Sequence, residues 1–251
     1  MNFTASIQAR MGSERLPGKV LKNIYGKPMI QWQYERISKS KYIDRVIVAT
    51  TLNSADDDIE IFCKKNNFLY FRGSENNVLE RISNMIEEFD VNYHLEFHGD
   101  SPLIDPKVID ECIEIFKTHK NNFDFFSSAI KTSYPPGMEV TIYSGKILQE
   151  VNQAIDTNDP LREHAGYNIT RFPLLYKQYN FYAPEERNYP NFYLEVDQIE
   201  DFNLVSKIIS FMIENGKYDF SIDDIISWMK DNPIDASSNK SIHRRWAKYR
   251  D

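Results

Sequence analysis

Short apolar segments alternate with amphipathic segments through the first half of the chain, and this alternation limits the possible folds more than any other feature. Four apolar runs rich in β-branched and aromatic residues are expected to be strands: Phe3–Gln8, Arg45–Thr51, Phe68–Arg72 and Tyr93–Phe97. Four segments with helical spacing accompany them: Met29–Lys39, Asp57–Asn66, Val78–Phe89 and Pro106–His119. Strands that alternate with helices of this length predict βαβ units and a Rossmann-like, doubly wound, mostly parallel α/β sheet.

The pattern changes after about residue 125. Strand-like runs now follow each other without helices between them: Phe125–Lys131, Glu139–Tyr143 and Leu174–Phe181. Residues 134–137, Tyr-Pro-Pro-Gly, predict a turn between the first two runs, so we expect an antiparallel arm. A short strand and two helices are expected after it: Tyr193–Val196, Asp201–Glu214 and Ile222–Lys230. We predict one domain over 1–251, with a core at 1–125 and 194–251 and an insertion at about 126–193.

Charge and apolar content argue against several classes of protein. The net charge of -7 over 251 residues disfavours a general nucleic-acid binder. No apolar run approaches the roughly 20 residues of a membrane span, and the first residues lack a signal-peptide pattern. Cys63 and Cys112 belong to no CxxC motif, which disfavours a zinc site and indicates buried thiols in a reducing compartment. We therefore expect a cytoplasmic protein with neither nucleic acid nor membrane as partner, and a basic tail, His243–Arg250, that is solvated or docks on a subunit.

The segment after the first predicted strand combines two glycines, a serine and three cations in the sequence ARMGSERLPGK, residues 9–19. In doubly wound sheets, ligands bind at the carboxyl ends of the strands. Backbone N–H groups beside Gly12 and Ser13 can approach an anion closely, and Arg10, Arg15 and Lys19 supply neutralising charge. This loop therefore predicts a triphosphate site.

Two familiar phosphate-binding loops do not fit the spacing. Five residues separate Gly12 from Gly18, and Val20 follows Lys19, whereas a Walker A loop has four residues at the first place and Ser or Thr at the second. The dinucleotide fingerprint GxGxxG is also absent. An ordinary surface loop with scattered cations is the remaining alternative, and the density of cations at a strand end disfavours it.

Several sequence blocks resemble one enzyme family, in the same order. The block IQARMGSERLPGKVL resembles the nucleotide-binding motif of the CMP-sugar cytidylyltransferases, which include the CMP-acylneuraminate and CMP-3-deoxy-manno-octulosonate synthetases. Its Gln-Ala-Arg-Met-Gly-Ser opening is most similar to the spore-coat polysaccharide F-type branch. The later blocks GKPMI, IDRVIVATT, FRGSENNVLERI and HGDSPLIDPKVID extend the resemblance over most of residues 3–115, with weaker matches at 162–167 and 194–201.

The resemblance implies a nucleotidyltransferase of GT-A-like fold that uses CTP. An acceptor oxygen would attack the α-phosphorus, CMP would pass to a small acidic sugar of the nonulosonic or octulosonic type for surface polysaccharide or glycoconjugate synthesis, and pyrophosphate would leave. Such transfer relies on positioning and charge neutralisation, so no covalent nucleophile is expected. The resemblance also implies a homodimer, with the insertion as a dimerising arm that reaches toward the neighbouring site.

Magnesium is the cofactor that the resemblance implies. A divalent cation neutralises the triphosphate, and Mg²⁺ usually takes one or two protein carboxylates together with phosphate oxygens and waters. Asp100, which follows the fourth predicted strand through Gly99, and Asp197, which follows the run at 193–196, resemble the family's metal-binding aspartates. Glu195 and Asp201 lie near Asp197 in sequence and are possible substitutes for it. Asp105 precedes a proline and is assigned to a helix cap.

Site residues are assigned by matching these blocks to the family. The catalytic residues are expected to be Arg10, Arg15, Lys19 and Asp100. The nucleotide is expected to contact Ala9, Arg10, Gly12, Ser13, Lys19, Arg72, Gly73, Ser74 and Gly99. In this set Arg72 would donate to the O2 and N3 acceptors of cytosine; the structural alternative is an ion pair between Arg72 and Glu75. The acceptor is expected to contact Glu139, Arg162, His164 and Tyr167, although Tyr167 directly follows Gly166, which departs from the family's spacing.

Three other functions stay open. A nucleotide-sugar glycosyltransferase has a similar sheet, but the His98-Gly99-Asp100 turn stands where an Asp-x-Asp motif would be expected. A cytidylyltransferase for a phosphonate or polyol phosphate would keep the whole CTP site and differ only within 125–195. A nucleotide-binding subunit without turnover is the third, and the presence of Arg10, Lys19 and Asp100 disfavours it.

Overall fold

The computed structural model describes residues 1–242 and is built on one large sheet. The strands described are, in chain order, β1 (Phe3–Gln8), β2 (Asn23–Ile24), β3 (Lys27–Pro28), β4 (Ile43–Thr51), β5 (Leu69–Gly73), β6 (Tyr93–His98), β7 (Phe125–Ser127), β8 (Thr141–Ser144) and β9 (Gln178–Asn180). The α-helices described are α1 (Met29–Ile37), α2 (Asp57–Asn66), α3 (Val78–Glu88), α4 (Pro106–His119), α5 (Gly145–Ala154), α6 (Tyr167–Thr170), α7 (Ile199–Glu214), α8 (Ile222–Asp231) and α9 (Pro233–Ala236).

Seven of these strands form the main sheet, in the order β5-β4-β1-β6-β8-β7-β9. The first four run parallel, β8 is antiparallel to both of its neighbours, and β7 and β9 are parallel to each other. Gln8 pairs with both Ala49 and His98, and Thr51 pairs with Gly73. The carboxyl ends of β5, β4, β1 and β6 therefore lie along one edge, which confirms the predicted mostly parallel α/β fold.

The parallel strands are covered by apolar side chains on both faces. In β4, Val46 and Val48 belong to one apolar cluster, and Ile47 and Ala49 belong to the other. A strand that is covered on both faces needs apolar residues at consecutive positions, which explains why this run lacks polar alternation. Each fully buried side chain of this size stabilises the fold by roughly 1.5–3 kcal/mol.

Most predicted elements of the first half are confirmed. The helices Asp57–Asn66 and Pro106–His119 have the predicted bounds, and the four predicted strands are all present. The capping role of Asp105 is also confirmed, because its Oδ1 accepts a hydrogen bond from the N–H of Lys107, at 2.8 Å. Cys63 and Cys112 are buried thiols, as expected.

The second half differs from the prediction in several elements, and the short helices α6 and α9 are among those that were not predicted. The run Tyr193–Val196 is extended but is no strand of the sheet; its backbone bonds to two loops instead, through Leu194 N–H to Pro136 O and Val196 N–H to Asp100 O, both at 2.8 Å. Helix α5 was not predicted, although Leu148 and Val151 give it a buried face.

The three strands predicted for the insertion are present but shorter, and they continue the main sheet because β8 pairs with β6. Of the three, only β8 is antiparallel to both of its neighbours, since β9 runs parallel to β7. Dimer formation through this region stays a prediction. Within residues 1–242, no helix has both the length and the apolar character needed to cross a lipid bilayer. The basic tail His243–Arg250 lies outside the described residues.

Replacing Asp105 tests how the C-terminal helices are joined to the sheet layer. Its Oδ1 caps α4, and its Oδ2 accepts from the N–H of Ile222 at the start of α8, at 2.5 Å. Because Asp105→Ala removes a cap and a buried backbone partner together, we expect it to lower the free energy of unfolding by about 1–3 kcal/mol. Urea denaturation measures this, with Asp58→Ala, on the exposed face of α2, as the control. Equal stability of the two variants would contradict the bridging role.

Candidate functional site

The loop of residues 9–19 is held at the carboxyl end of β1 by backbone bonds and one carboxylate. The N–H of Ala9 donates to Ala49 O at 3.1 Å, and the N–H of Met11 donates to Asp56 Oδ1 at 2.7 Å. The carbonyl of Met11 accepts from the N–H groups of Ser13 and Gly18, at 2.9 and 3.0 Å. Gly18 has a φ of 68°, a left-handed conformation that glycine adopts without strain. The loop therefore has a defined shape, with Gly12 and Arg10 within it.

Two cations of this loop meet two carboxylates from distant parts of the chain. The Lys19 ammonium lies 3.5 Å from Asp100 Oδ2 and 3.7 Å from Asp197 Oδ1, and it donates to the carbonyl of Val196 at 2.6 Å. Arg15 Nη2 lies 2.8 Å from Asp197 Oδ1. The structure thus brings together Arg15, Lys19, Asp100 and Asp197, four of the residues that the sequence analysis selected.

Gly99 lets the turn that carries Asp100 lie against β1. Its N–H donates to Gln8 O at 2.8 Å. A Cβ at this position would stand 2.9 Å from the same oxygen and 3.3 Å from Val20. A side chain here would therefore push Asp100 away from the loop of residues 9–19.

The electrostatic surroundings of Asp100 favour its ionised form. Burial by itself would raise the pKa of this carboxyl, but the charges of Lys19 and His98 act in the opposite direction. Hydrogen bonds from Ser101 and Lys19 add to them, and the net result is a pKa below the usual value. Asp100 is therefore an anion at neutral pH, as a cation-binding role requires.

Asp201 holds the turn that carries Asp197 and is not a substitute for it. Its Oδ2 accepts from the N–H groups of Asp197 and Gln198, at 3.0 and 2.9 Å. Its Oδ1 accepts from the amide of Asn239, at 2.7 Å. The residue is fully buried. Its oxygens bond the backbone and Asn239, so Asp197 and Asp100 are the carboxylates that face Lys19.

Arg72 lies at the predicted strand end, but its guanidinium is bound to the segment at the start of α2. Its Nη1 lies 2.8 Å from Asp57 Oδ1 and 2.5 Å from Glu60 Oε2. Its Nε donates to Thr51 O and its Nη2 to Asn53 O, at 2.7 and 2.9 Å. These contacts join the Arg72 guanidinium to the connection between β4 and α2. The guanidinium is therefore not directed toward a position where cytosine would bind.

The alternative pairing of Arg72 with Glu75 is also wrong. Glu75 Oε2 instead accepts from the side-chain amide of Asn53, at 2.8 Å. The signal that could have located the true partners is the spacing of Asp57 and Glu60, which places both carboxylates on the side of α2 that faces β5.

Arg81 is a cation near this edge that the sequence analysis missed. It lies on α3, is 4% exposed and donates from Nη1 to Ser74 O at 2.6 Å. Its stem packs on Gly73, where a Cβ would stand 2.8 Å from Arg81 Cγ. A cation among the buried positions Leu79, Ile82 and Met85 of α3 is the signal that could have found it.

Of the predicted acceptor residues, Arg162 has a structural role. It is 5% exposed. Its Nε donates to Asn77 Oδ1 at 3.1 Å, its Nη1 donates to Ile155 O at 2.9 Å, and its Nη2 bonds the side chain of Asn152. The guanidinium therefore links the cap of α3 to the end of α5, and its donors are not directed at an acceptor molecule.

The other predicted acceptor residues lie in two turns of the second half. Glu139 Oε2 accepts from the N–H of Gly137 at 2.6 Å and closes the proline-rich turn. His164 Nε2 lies 3.4 Å from Glu163 Oε1, and Tyr167 is partly exposed at the start of α6. Their contact with an acceptor stays a prediction.

A buried carboxylate attaches the segment of residues 162–167 to the central strands. Glu96, on β6, accepts from Gln8 Nε2, Tyr143 Oη and the N–H of Gly166, at 2.8, 2.7 and 2.9 Å. Burial would raise the pKa of Glu96, but interactions with His98 and then His94, together with the hydrogen bonds from Tyr143 and the N–H of Gly166, bring it below the usual value. The anion therefore fixes the predicted acceptor segment beside the ends of β1 and β6.

Comparison with known proteins gives a consistent family match. A family model described as cytidylyltransferase matches residues 4–219. The spore coat polysaccharide biosynthesis protein SpsF of Bacillus subtilis (strain 168) is 29% identical over 239 residues, which cover 94% of this chain and 97% of that protein. An 8-amino-3,8-dideoxy-manno-octulosonate cytidylyltransferase of Shewanella baltica (strain OS155) is 31% identical over 187 residues, 68% of this chain and 76% of that protein.

One solved structure is similar over nearly the whole chain. It is a cytidylyltransferase from Leptospira borgpetersenii serovar Hardjo-bovis (strain JB197), with a TM-score of 0.87 and 29% identity. The match covers 97% of this chain and 100% of that one.

Gly166 offers a test of the packing around Glu96. A Cβ there would stand 2.6 Å from both Glu96 Oε2 and Tyr143 Cε1. We expect Gly166→Ala to lower the free energy of unfolding by about 1–3 kcal/mol because the segment must move away. Gly12→Ala is the matched control, since nothing lies within 4 Å of a Cβ at that position. Thermal melts compare the two variants, and an unchanged melting temperature for Gly166→Ala would contradict the packing described.

Because the His94 side chain is buried, we expect the protein to lose stability in mild acid. Burial lowers the pKa of His94 to about 4, below the ordinary histidine value of 6.5, although Glu96 acts in the opposite direction. Between these values the unfolded chain binds a proton that the folded chain does not, so stability falls as the pH drops. We expect about 2 kcal/mol to be lost between pH 7 and pH 5, and His94→Gln to remove most of this slope.

Denaturant titrations at several pH values measure the slope, and His119→Gln is the control. The slope, rather than the absolute stability, decides the outcome, because His94→Gln also loses a 2.8 Å contact with Ser6 Oγ. If wild type and His94→Gln lose stability in parallel, the buried neutral histidine is not the cause.

Proposed function

The chain belongs to the cytidylyltransferase family, and on that basis we propose that it transfers CMP from CTP to a small acidic sugar and releases pyrophosphate. The family establishes the class of enzyme, a nucleotidyltransferase. The one observation that carries the proposal for this chain is the cluster formed by Lys19, Asp100 and Asp197 at the carboxyl ends of the parallel strands. Such an edge is where ligands bind in sheets of this kind.

The loop cations suit the triphosphate of CTP. Arg15 and Lys19 lie on the same loop and both reach Asp197, so their charges are concentrated at one point. Arg10 precedes them on the loop, beside the end of β1. Guanidinium and ammonium groups at this density favour an anion with several oxygens, and they stabilise the charge that builds on departing pyrophosphate.

Magnesium is the proposed cofactor, and the donors present fit it. The Lys19 ammonium is held by two carboxylates and the carbonyl of Val196, so the structure already places a cation among hard oxygen donors. In the described part of the chain, no group of three or more His, Cys, Asp or Glu side chains is arranged to hold a metal ion. Asp100 and Asp197 would hold Mg²⁺, which neutralises phosphate charge when bound.

The reaction that we propose is an in-line displacement. The oxygen of an acceptor hydroxyl forms a bond to the α-phosphorus of CTP, and its proton passes to solvent. The bond from that phosphorus to the oxygen that bridges it to the β-phosphate breaks, with its electrons leaving on pyrophosphate. The chain's residues bind and orient the triphosphate through Arg15 and Lys19. Positioning of this kind supplies most of the catalysis in phosphoryl chemistry.

The acidic sugar acceptor is proposed from the relatives and from the segment beside Glu96. The Shewanella relative is named for an octulosonate, a sugar that carries a carboxylate, and the Bacillus relative for polysaccharide biosynthesis. His164 and Tyr167 flank Gly166, which Glu96 holds beside the ends of β1 and β6. We propose that these two side chains and Glu139 contact the acceptor, and that the product serves surface polysaccharide synthesis.

A homodimer completes the proposal. Leu174 and Leu175, in the insertion, are 99% and 70% exposed. Adjacent leucines with this exposure are uncommon on an isolated surface and suit burial against a second copy.

Two substitutions test the CTP site. Lys19→Met removes a charge that would face the triphosphate, so we expect CTP to bind about ten- to a hundredfold more weakly. Asp100→Asn removes a carboxylate of the proposed magnesium site, and we expect pyrophosphate release to fall by at least about a hundredfold. Calorimetry with CTP and magnesium measures the first change, and a pyrophosphate assay over a panel of sugar acids and non-sugar acceptors measures the second.

Lys65→Met is the control, because Lys65 is exposed on α2 and far along the chain from the cluster. Circular dichroism confirms that each variant is folded. Normal magnesium-dependent turnover of Asp100→Asn would exclude the metal assignment, and the absence of CTP binding by the wild-type protein would exclude the function.

A further inference from the structure

Arg81 is a buried cation without a carboxylate partner. Within residues 1–242, no carboxylate lies within ion-pair distance of its guanidinium, and Nε has no hydrogen-bond partner. The hydrogen bond from Nη1 to Ser74 O is the one that the described residues provide. An unpaired charge is costly to bury, so buried guanidinium groups are normally matched by acceptors on every side. A guanidinium with open donors is therefore a candidate for ligand contact.

The carboxylates nearest to Arg81 are bonded to other groups and do not pair with its guanidinium. Asp56 is close enough for its charge to affect Arg81, but its Oδ1 accepts from the N–H of Met11 and its Oδ2 bonds the hydroxyl of Thr51. Glu75, also nearby, bonds Asn53. Burial first, and then the positive charge of Arg10, lower the pKa of Arg81 to about 10. Two cations thus approach each other where an electron-rich ligand would relieve the repulsion between them.

The position of Arg81 places it beside the proposed nucleotide site. Ser74, its hydrogen-bond partner, directly follows β5, and Arg10 follows β1. These two strands flank β4 in the parallel half of the sheet. Arg81 therefore approaches the carboxyl edge from α3, on the side of β5, whereas Lys19, Asp100 and Asp197 lie on the side of β6. That separation suits a nucleotide whose triphosphate lies at one end and whose base lies at the other.

Arg72 is unable to donate a pair of hydrogen bonds to the base without losing one of its own partners, because four of its five N–H groups are engaged. Its guanidinium bonds two carboxylates and two carbonyls at the start of α2. Arg81 has one carbonyl partner, so an incoming base would add hydrogen bonds rather than replace them.

We infer that Arg81, in place of Arg72, is the residue that selects cytosine at this site. The inference rests on the proposed function, since it requires that CTP binds at this edge. A guanidinium donates but does not accept hydrogen bonds. Cytosine presents two adjacent acceptors, O2 and N3, that match two N–H groups of the guanidinium. Uracil carries an N–H at N3 and would place a donor against a donor, which leaves a buried polar group unpaired.

The test compares CTP and UTP binding by calorimetry, with magnesium chloride present, for matched arginine variants. Arg81→Lys keeps the charge and the stem but loses the paired N–H geometry. We expect the wild type to prefer CTP, and Arg81→Lys to bind CTP about ten- to a hundredfold more weakly while UTP binding changes by less than about threefold. Arg72→Lys is the matched control and should keep the wild-type ratio of CTP to UTP affinity.

Each other outcome overturns the inference. An equal loss of CTP and UTP binding in Arg81→Lys would mean that the guanidinium contacts phosphate or ribose. Unchanged affinities for both nucleotides in Arg81→Lys would mean that Arg81 does not contact the nucleotide, and a collapsed ratio in Arg72→Lys alone would assign the selection of cytosine to Arg72. A wild-type protein that binds neither nucleotide would instead contradict the proposed function itself.

A crystal of the wild-type protein with CTP gives a result that does not depend on the folding of a variant. The inference expects a guanidinium nitrogen of Arg81 within about 3.2 Å of cytosine O2 or N3. A guanidinium still directed only at Ser74 O, or turned toward the triphosphate, would overturn it.

Discussion

The contact of one ammonium with two carboxylates organises the ligand edge of this protein. Lys19 belongs to the loop after β1, Asp100 to the turn after β6, and Asp197 to a turn that follows the insertion. No local interaction joins these segments, so their convergence depends on the parallel register that aligns Gln8 with His98. The side chains of Lys19, Asp100 and Asp197 remain partly exposed to solvent in this contact. A charged ligand that reaches this edge can therefore replace one partner of the ion pairs.

Polar residues continue from this edge into the sheet. Glu96 lies on β6, the strand that leads to Asp100. Its three hydrogen bonds connect β1, β8 and the N–H of Gly166. A buried carboxylate that is fully hydrogen-bonded fixes its neighbours in one arrangement, whereas an apolar contact would tolerate sliding. The segment of residues 162–167, which is proposed to contact the acceptor, is therefore attached to β6 and to β1, the strand that precedes the loop of residues 9–19. This arrangement fits the proposed reaction, because that reaction depends on the relative position of two substrates.

The sequence predicted the components of this edge better than it predicted their hydrogen-bond partners. Lys19 and Asp100 were identified because they follow strands of a sheet whose parallel order the alternation of elements already indicated, and Asp197 because it resembles a metal-binding aspartate of the family. Arg72 and Arg162 were assigned to ligands, yet each is bound by side chains and carbonyls of other segments of the chain. A long guanidinium side chain can reach any of several elements, and which one it meets depends on packing that periodicity does not encode. The missing strand at 193–196 has a similar cause, because its N–H groups found partners in loops.

Asn239 makes one wall of the site depend on a residue that is distant in sequence from the sheet. Its amide bonds Asp201 and the carbonyl of Tyr193, and Asp201 in turn holds the turn of Asp197. In the described part of the chain the last strand ends at Asn180, well before this residue. The sheet and the loop of residues 9–19 are thus built from earlier residues, whereas the position of Asp197 also depends on a contact with the segment that follows α9. The helical region after the sheet therefore supports the cluster of Lys19, Asp100 and Asp197 as well as covering the core.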